Sequence, residues 1–163
     1  MTCRILLHSI RGRTHKVGEE LAWELGAQLH EIDAENTDQT IFGRLRSGFS
    51  ALVARGISIA VPDQPWDRSD LLILGAPVWN GKAARPMRQW LEGRPALPAR
   101  VAFLLISDET DYPAEAVEDL SSLTGRKPVA VLHVSDTDFS GGTWKGRLEH
   151  FLDQCVVRYR NSA

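Results

Sequence analysis

The segment Ser9-Ile10-Arg11-Gly12-Arg13-Thr14 gathers groups that can hold an oxyanion. Ser9 and Thr14 bring hydroxyls, Arg11 and Arg13 bring positive charge, and Gly12 permits a tight turn with bare backbone close to a ligand. The segment lies between an apolar run and an amphipathic one, where a helix is expected to begin. There the first N–H groups lack intrahelical partners and the helix dipole is positive. A phosphate dianion suits that combination. Helix capping by Ser9 and Thr14, with both arginines solvated, accounts for the same residues and stays open at this level. The spacing is neither a dinucleotide GxGxxG turn nor a Walker A loop.

A second segment, Gly75-Ala76-Pro77-Val78-Trp79-Asn80-Gly81-Lys82, follows the most apolar run in the chain. A Trp at a loop tip is costly to expose and well shaped to stack on a flat ring. The alternative is a Trp79 folded back onto its own helix as a staple. Asn80-Gly81 is a strong turn pair, since both residues tolerate positive φ. The Gly81-Lys82 pair is not a Walker A motif: its spacing from Gly75 is one residue too long, and Ala83 stands where Ser or Thr is required.

Other reactive residues fall into no catalytic pattern. Histidines 8, 15, 30, 133 and 150 show no metal-like spacing with one another or with the cysteines. Cys3 and Cys155 have no His partner in sequence and are expected to be two reduced thiols. A phosphatase of the Cys-x5-Arg type is excluded by Ser9, and a phospho-receiver by the absence of an acidic cluster at His8-Ser9.

These loops need elements to carry them. Strands are expected at Arg4–His8, Gln28–Ile32 (an edge), Asp70–Gly75, Val101–Ile106 and Pro128–Val134. Three of them are apolar on consecutive positions, as a parallel strand covered on both faces must be. Helices are expected from Val17 to Leu25 with a stop at Gly26, over Asp38–Ala54, Ala84–Glu92 and Ala114–Leu123, and from Thr143 to about Arg158. Pro62 and Pro65 make Ile57–Arg68 an extended connector. Strand and helix alternate, which predicts one α/β domain over 1–163, an open doubly wound and mostly parallel sheet with helices on both faces. Ligands of such sheets sit beyond the carboxyl ends of the strands, so the loops of interest are 9–14, 76–83, 107–113 and 135–142.

Composition narrows the function classes. The 163 residues are 43% hydrophobic and 25% charged, with a formal charge of -2. That balance argues against a nucleic-acid binder, and no apolar run reaches the ~18 residues that cross a bilayer. The N-terminal run carries a charge and lacks a small-residue cleavage site, so a cytoplasmic protein without membrane insertion is expected.

Taken together, the chain resembles the flavodoxin family. Ser9-x-x-Gly12-x-Thr14 is similar to that family's phosphate loop, and Asp70-Leu-Leu-Ile-Leu-Gly-Ala-Pro-Val-Trp79 to the strand and second flavin loop of its short single-domain members. The similarity in order and spacing extends to the Arg44–Ala54 helix and the closing Leu148–Asp153 segment. The resemblance implies a five-stranded sheet of order 2-1-3-4-5 and a non-covalent FMN. It further implies that Ser9, Gly12 and Thr14 hold the FMN phosphate. Trp79, after Pro77 and Val78, would flank the ring, and the Asn80-Gly81 backbone would face flavin N5. The third loop, Ser107 and Asp108 to Tyr112, would place Tyr112 over the other face. The chain departs from the family at Arg11, where Thr is usual, and at the acids Asp108, Glu109 and Asp111. The expected function is electron transfer through FMN to a redox partner protein or a small-molecule acceptor. The alternatives are an NAD(P)H- or quinone-dependent FMN oxidoreductase and a flavin-free interaction domain.

Overall fold

The computed structural model describes residues 1–35, 49–54 and 57–160. Five strands run parallel in one sheet: β1 (Cys3–Leu7), β2 (Gln28–Glu31), β6 (Leu71–Trp79), β8 (Val101–Ser107) and β9 (Val131–Ser135). Their order is β2-β1-β6-β8-β9, which is the expected 2-1-3-4-5 arrangement. Short β7 (Lys82–Ala83) adds antiparallel to the end of β6.

The apolar runs explain the sheet. Because side chains alternate along a strand, each run divides its residues between two faces. Leu6, Leu72, Leu74, Phe103 and Leu105 join one core, while Ile5, Leu7, Leu71, Ile73 and Leu104 join the other. Each face needs its own cover. On the first face lie α2 (Arg85–Glu92) and α3 (Ala114–Thr124), through Met87, Trp90, Leu91, Ala116 and Leu120. On the second lie α1 (Arg13–Leu25) and α5 (Trp144–Arg160), through Val17, Leu21, Trp144, Leu148 and Phe151. A short helix, α4 (Asp136–Gly141), joins β9 to α5.

Four regions differ from the sequence reading. Residues 49–54, expected to be helical, form β4 (Phe49–Ala54), and residues 38–48 of that expected helix lie outside the described residues. The expected connector contains β5 (Ile57–Pro62), which pairs antiparallel with β4 from Ala54↔Ile57 to Phe49↔Pro62 and also with β3 (Asp33–Glu35). This second sheet, of order β3-β5-β4, places buried Ile59 and Val61 against the α2 side of the core. A ladder between two segments stabilises each only in the presence of the other, so local periodicity over 38–54 misleads. Pro62 is the last residue of its strand, where the missing N–H costs least. A single turn of 3-10 helix at Trp66–Arg68 then packs Trp66 edge-on against Trp90, ring centres 5.8 Å apart. The expected loops at 76–83 and 135–142 are also more ordered: β6 continues to Trp79, and α4 fills the other. No helix among the described residues is long and apolar enough to cross a membrane.

Candidate functional site

Parallel pairing brings the carboxyl ends of β1, β6, β8 and β9 to one edge, so the loops after them meet. Gly12 is the N-cap of α1 at φ 77°, in the left-handed region, and a Cβ there would touch nothing within 4 Å. Its requirement is conformational. Gly12 has no side chain to cap the helix, and the first turn contains no acidic residue. Ser9 Oγ accepts the N–H of His15 at 3.3 Å, which occupies one amide of the first turn. Thr14 is 2% exposed and lies over Gly75. A Cβ on Gly75 would stand 2.8 Å from Leu7 Cβ and 3.5 Å from Thr14 Cγ2, so the bare α-carbon lets β6 pass close beneath the start of α1.

A cavity of about 120 Å³ opens there. Arg11, Arg13 and Thr14 form one wall, Pro77, Val78 and Trp79 a second, and Ser107 and Asp108 a third, with Ile10 and Ile106 between them. An adjoining cavity of about 240 Å³ shares Val78, Trp79, Ser107 and Asp108 and is completed by Asn80, Gly81, Glu109, Asp111 and Tyr112. The structure therefore groups the residues singled out in three separate loops, apart from Gly12, which lines neither cavity, and Ser9. Ser9 lines a neighbouring cleft beside His8 and Glu31. Trp79 is 50% exposed at the mouth, which is not the position of a staple buried on its own helix.

The turn that presents Trp79 is a two-residue hairpin. Asn80 (φ 48°) and Gly81 (φ 71°) are both left-handed, as the type I′ turn favoured between twisted strands requires. Trp79 and Lys82 pair across it. The backbone of Gly81 also lies against the Glu115 side chain of α3, which a Cβ there would meet.

Polar contacts fix the other two loops. Ser107 Oγ donates to the Glu109 carbonyl at 2.8 Å and accepts from His133 Nε2 at 2.7 Å. This tautomer follows because the one hydroxyl proton of Ser107 is already committed. Burial lowers the pKa of His133, Arg147 lowers it further, and Asp138 opposes both. Ser135 caps α4: its Oγ accepts the Asp138 N–H, and the Asp138 carboxylate accepts the Ser135 N–H, each at 3.1 Å. Arg13 lines the cavity and stands in ion pairs there. Its Nη2 lies 3.5 Å from Asp108 Oδ1, and its Nη1 pairs with Asp136 Oδ1. Sequence reasoning missed Asp136, Ile10, Ile106 and His133 as neighbours of the site. Only Asp136 carried a signal, through the Ser135-x-x-Asp138 cap that places it in the first turn of a helix.

The donor set suits a phosphorylated aromatic cofactor: a helix start whose N-cap has no side chain, a buried hydroxyl and two arginines stand on one side, with a half-exposed indole on the other. No family model and no curated protein matches the sequence. Solved structures do match. A flavoprotein from Lactobacillus acidophilus in complex with FMN is 20% identical, with a TM-score of 0.61 over 88% of this chain and 98% of its own. A WrbA-like flavodoxin from Agrobacterium tumefaciens is 16% identical, with a TM-score of 0.60 over 96% of this chain and 97% of its own. An NADH:FMN oxidoreductase in its apo form is 14% identical, with a TM-score of 0.58 over 99% and 90%. These likenesses, with the strand order above, establish that the fold is flavodoxin-like.

Proposed function

We propose that this chain binds FMN non-covalently between the loops after β1, β6 and β8 and acts as a redox protein. The observation that carries this reading is the convergence of the α1 start and Trp79 on one cavity. The backbone at 12–14 and the Thr14 hydroxyl would receive the phosphate, because exposed N–H groups and a positive dipole end favour a dianion. Trp79 and Tyr112, both at least half exposed at the adjoining cavity, would enclose the ring from its two sides. A bound flavin supplies electron and hydride transfer, while the protein supplies orientation and field. His133, whose pKa burial lowers, donates to Ser107, which in turn holds the Glu109 carbonyl at the cavity wall.

Within that reading, electron transfer to a redox partner protein or a small acceptor is the first assignment. The net charge of -2 favours a second, an FMN oxidoreductase using NAD(P)H or a quinone, since a dedicated shuttle commonly steers to its partner by a strongly acidic face. A cytoplasmic location accords with either. The deciding experiment is a visible spectrum of purified protein, followed by titration with FMN and riboflavin. Yellow protein, or tighter binding of FMN than of riboflavin, is expected. Equal affinity for the two removes the assigned role of the 9–14 loop, and no binding of either supports the flavin-free alternative. Rapid bleaching of the loaded protein by NADH or NADPH selects the oxidoreductase.

A further inference from the structure

The geometry points to Asp108 and Asp136 as the residues that set how strongly this cavity selects a phosphorylated ligand, by competing with the phosphate for Arg13. The inference rests on the FMN reading above and goes beyond it by assigning selectivity to two acids outside the phosphate loop.

Arg13 opens α1, Asp108 follows β8, and Asp136 opens α4, so one guanidinium ties together three loops at the cavity edge. The arginine side chain is 19% exposed, against 72% for Asp108 and 43% for Asp136, so the acids reach inward over the cation from the solvent side. A guanidinium binds an oxyanion best through two parallel N–H bonds. Here each terminal nitrogen already faces a carboxylate. A phosphate in the cavity lined by Arg11, Arg13 and Thr14 can gain the Arg13 fork only by displacing one or both acids. The trio of Arg13, Asp108 and Asp136 carries a net charge of -1 when ionised, which opposes a dianion. Replacing both acids by amides reverses that sign and frees the fork. Arg11 makes no ion pair among the described residues and does not share this constraint.

Two features make the acids replaceable. Asp108 is largely solvated, and the α4 cap uses Ser135 and Asp138 rather than Asp136. Folding of the variants is checked by circular dichroism before any titration.

The test compares the FMN-to-riboflavin affinity ratio in wild type, Asp108→Asn, Asp136→Asn and the double variant, at fixed ionic strength. Competition predicts that the ratio rises in each single variant and about tenfold or more in the double variant. An unchanged ratio overturns the inference. So does a falling ratio, which would show that the acids position Arg13 for the phosphate instead of withholding it. The same substitutions in an Arg13→Gln background should change the ratio much less. A full effect there would mean direct repulsion without Arg13, and would also overturn the assignment. Inorganic phosphate, followed by Trp79 fluorescence in the flavin-free protein, separates the two readings. If no variant binds FMN but phosphate affinity rises in the double variant, the FMN reading falls and the competition stands. If phosphate affinity is also unchanged, both fall.

Discussion

At the scale of single residues, burial governs the titratable groups more than contact does. His8 is 6% exposed at the end of β1, where its Nδ1–H donates to the Ile32 carbonyl at 3.1 Å. Burial lowers its pKa, as it does for His30 and His133, against partial opposition at His8 from that hydrogen bond and Glu31. A base with a depressed folded pKa takes up its proton more readily when unfolded. Its stabilising contribution is therefore present above the ordinary histidine value of 6.5 and is lost as pH falls below it. Denaturant midpoints should be flat from pH 8 to 7 and decline below about 6.5. His133→Gln, whose amide can still donate to Ser107, should make that decline shallower; an unaltered pH profile would assign the acid sensitivity to other groups. The thiols show the opposite sign. Cys3 and Cys155 are buried and free, and burial pushes both up to about 12, with Arg100 pulling back and Cys3 adding to the rise at Cys155. Their stabilising contribution is complete below the ordinary value of 9.0 and is lost between there and 12. Native protein at pH 8 should leave both unmodified by a thiol reagent that labels them rapidly in denaturant.

At the scale of elements, glycine positions distinguish steric demands from conformational ones. Gly75 in β6 has no room: its added Cβ would meet Leu7 Cβ, which is fixed to the backbone of β1, at 2.8 Å. Gly75→Ala should cost about 1–3 kcal/mol by overpacking and should also shift Thr14 at the cavity wall. Gly12 has open space but a left-handed φ, so Gly12→Ala should cost about 1–2 kcal/mol through the backbone alone. Urea titrations of both variants, with FMN affinity measured on each, test the distinction. Gly75→Ala is expected to lose FMN affinity along with stability, and a Gly75 variant as stable as wild type would refute the close packing of β6 on β1. The same scale shows where sequence reading stops. The strands β6, β8 and β9 were legible because each run is apolar at consecutive positions, a pattern imposed by cover on two faces. β4 was not, because its run Phe49-Ser-Ala-Leu-Val-Ala54 is short, follows a polar stretch with helical spacing, and becomes a strand only by pairing with β5. The Asn80-Gly81 turn was legible, whereas the extension of β6 up to it was hidden by Pro77 and by the end of the apolar run at Gly75. For the site, the loops were legible from Gly, Thr and Trp at strand ends. The Arg13–Asp136 pair was not, because residues more than a hundred positions apart meet only once β9 stands at the far edge of the sheet.

At the scale of the whole molecule, the site draws on the loops after β1, β6 and β8, so occupying it should stabilise the entire fold. In the proposed site the phosphate would meet the start of α1 and the ring the β6–β7 hairpin and the loop after β8, and these elements rest on opposite faces of the sheet with separate cores. A ligand bound only by the native state adds about 2.7 kcal/mol when present at a hundred times its Kd. For a chain of this size each kcal/mol raises the melting temperature by about 2–4 °C, so FMN at that excess should raise it by about 5–10 °C. Riboflavin at the same concentration lacks the phosphate and should give a clearly smaller shift. The amount also reports on cooperativity. If the two cores unfold together, fluorescence of the tryptophans and far-ultraviolet circular dichroism should shift by the same number of degrees. If FMN moves one signal and leaves the other in place, the ring loops and the α1 start belong to separately unfolding units, and the cavity between them cannot act as one binding site. Differential scanning of the protein alone, with FMN and with riboflavin, therefore tests the proposed cofactor and the unity of its site in one measurement.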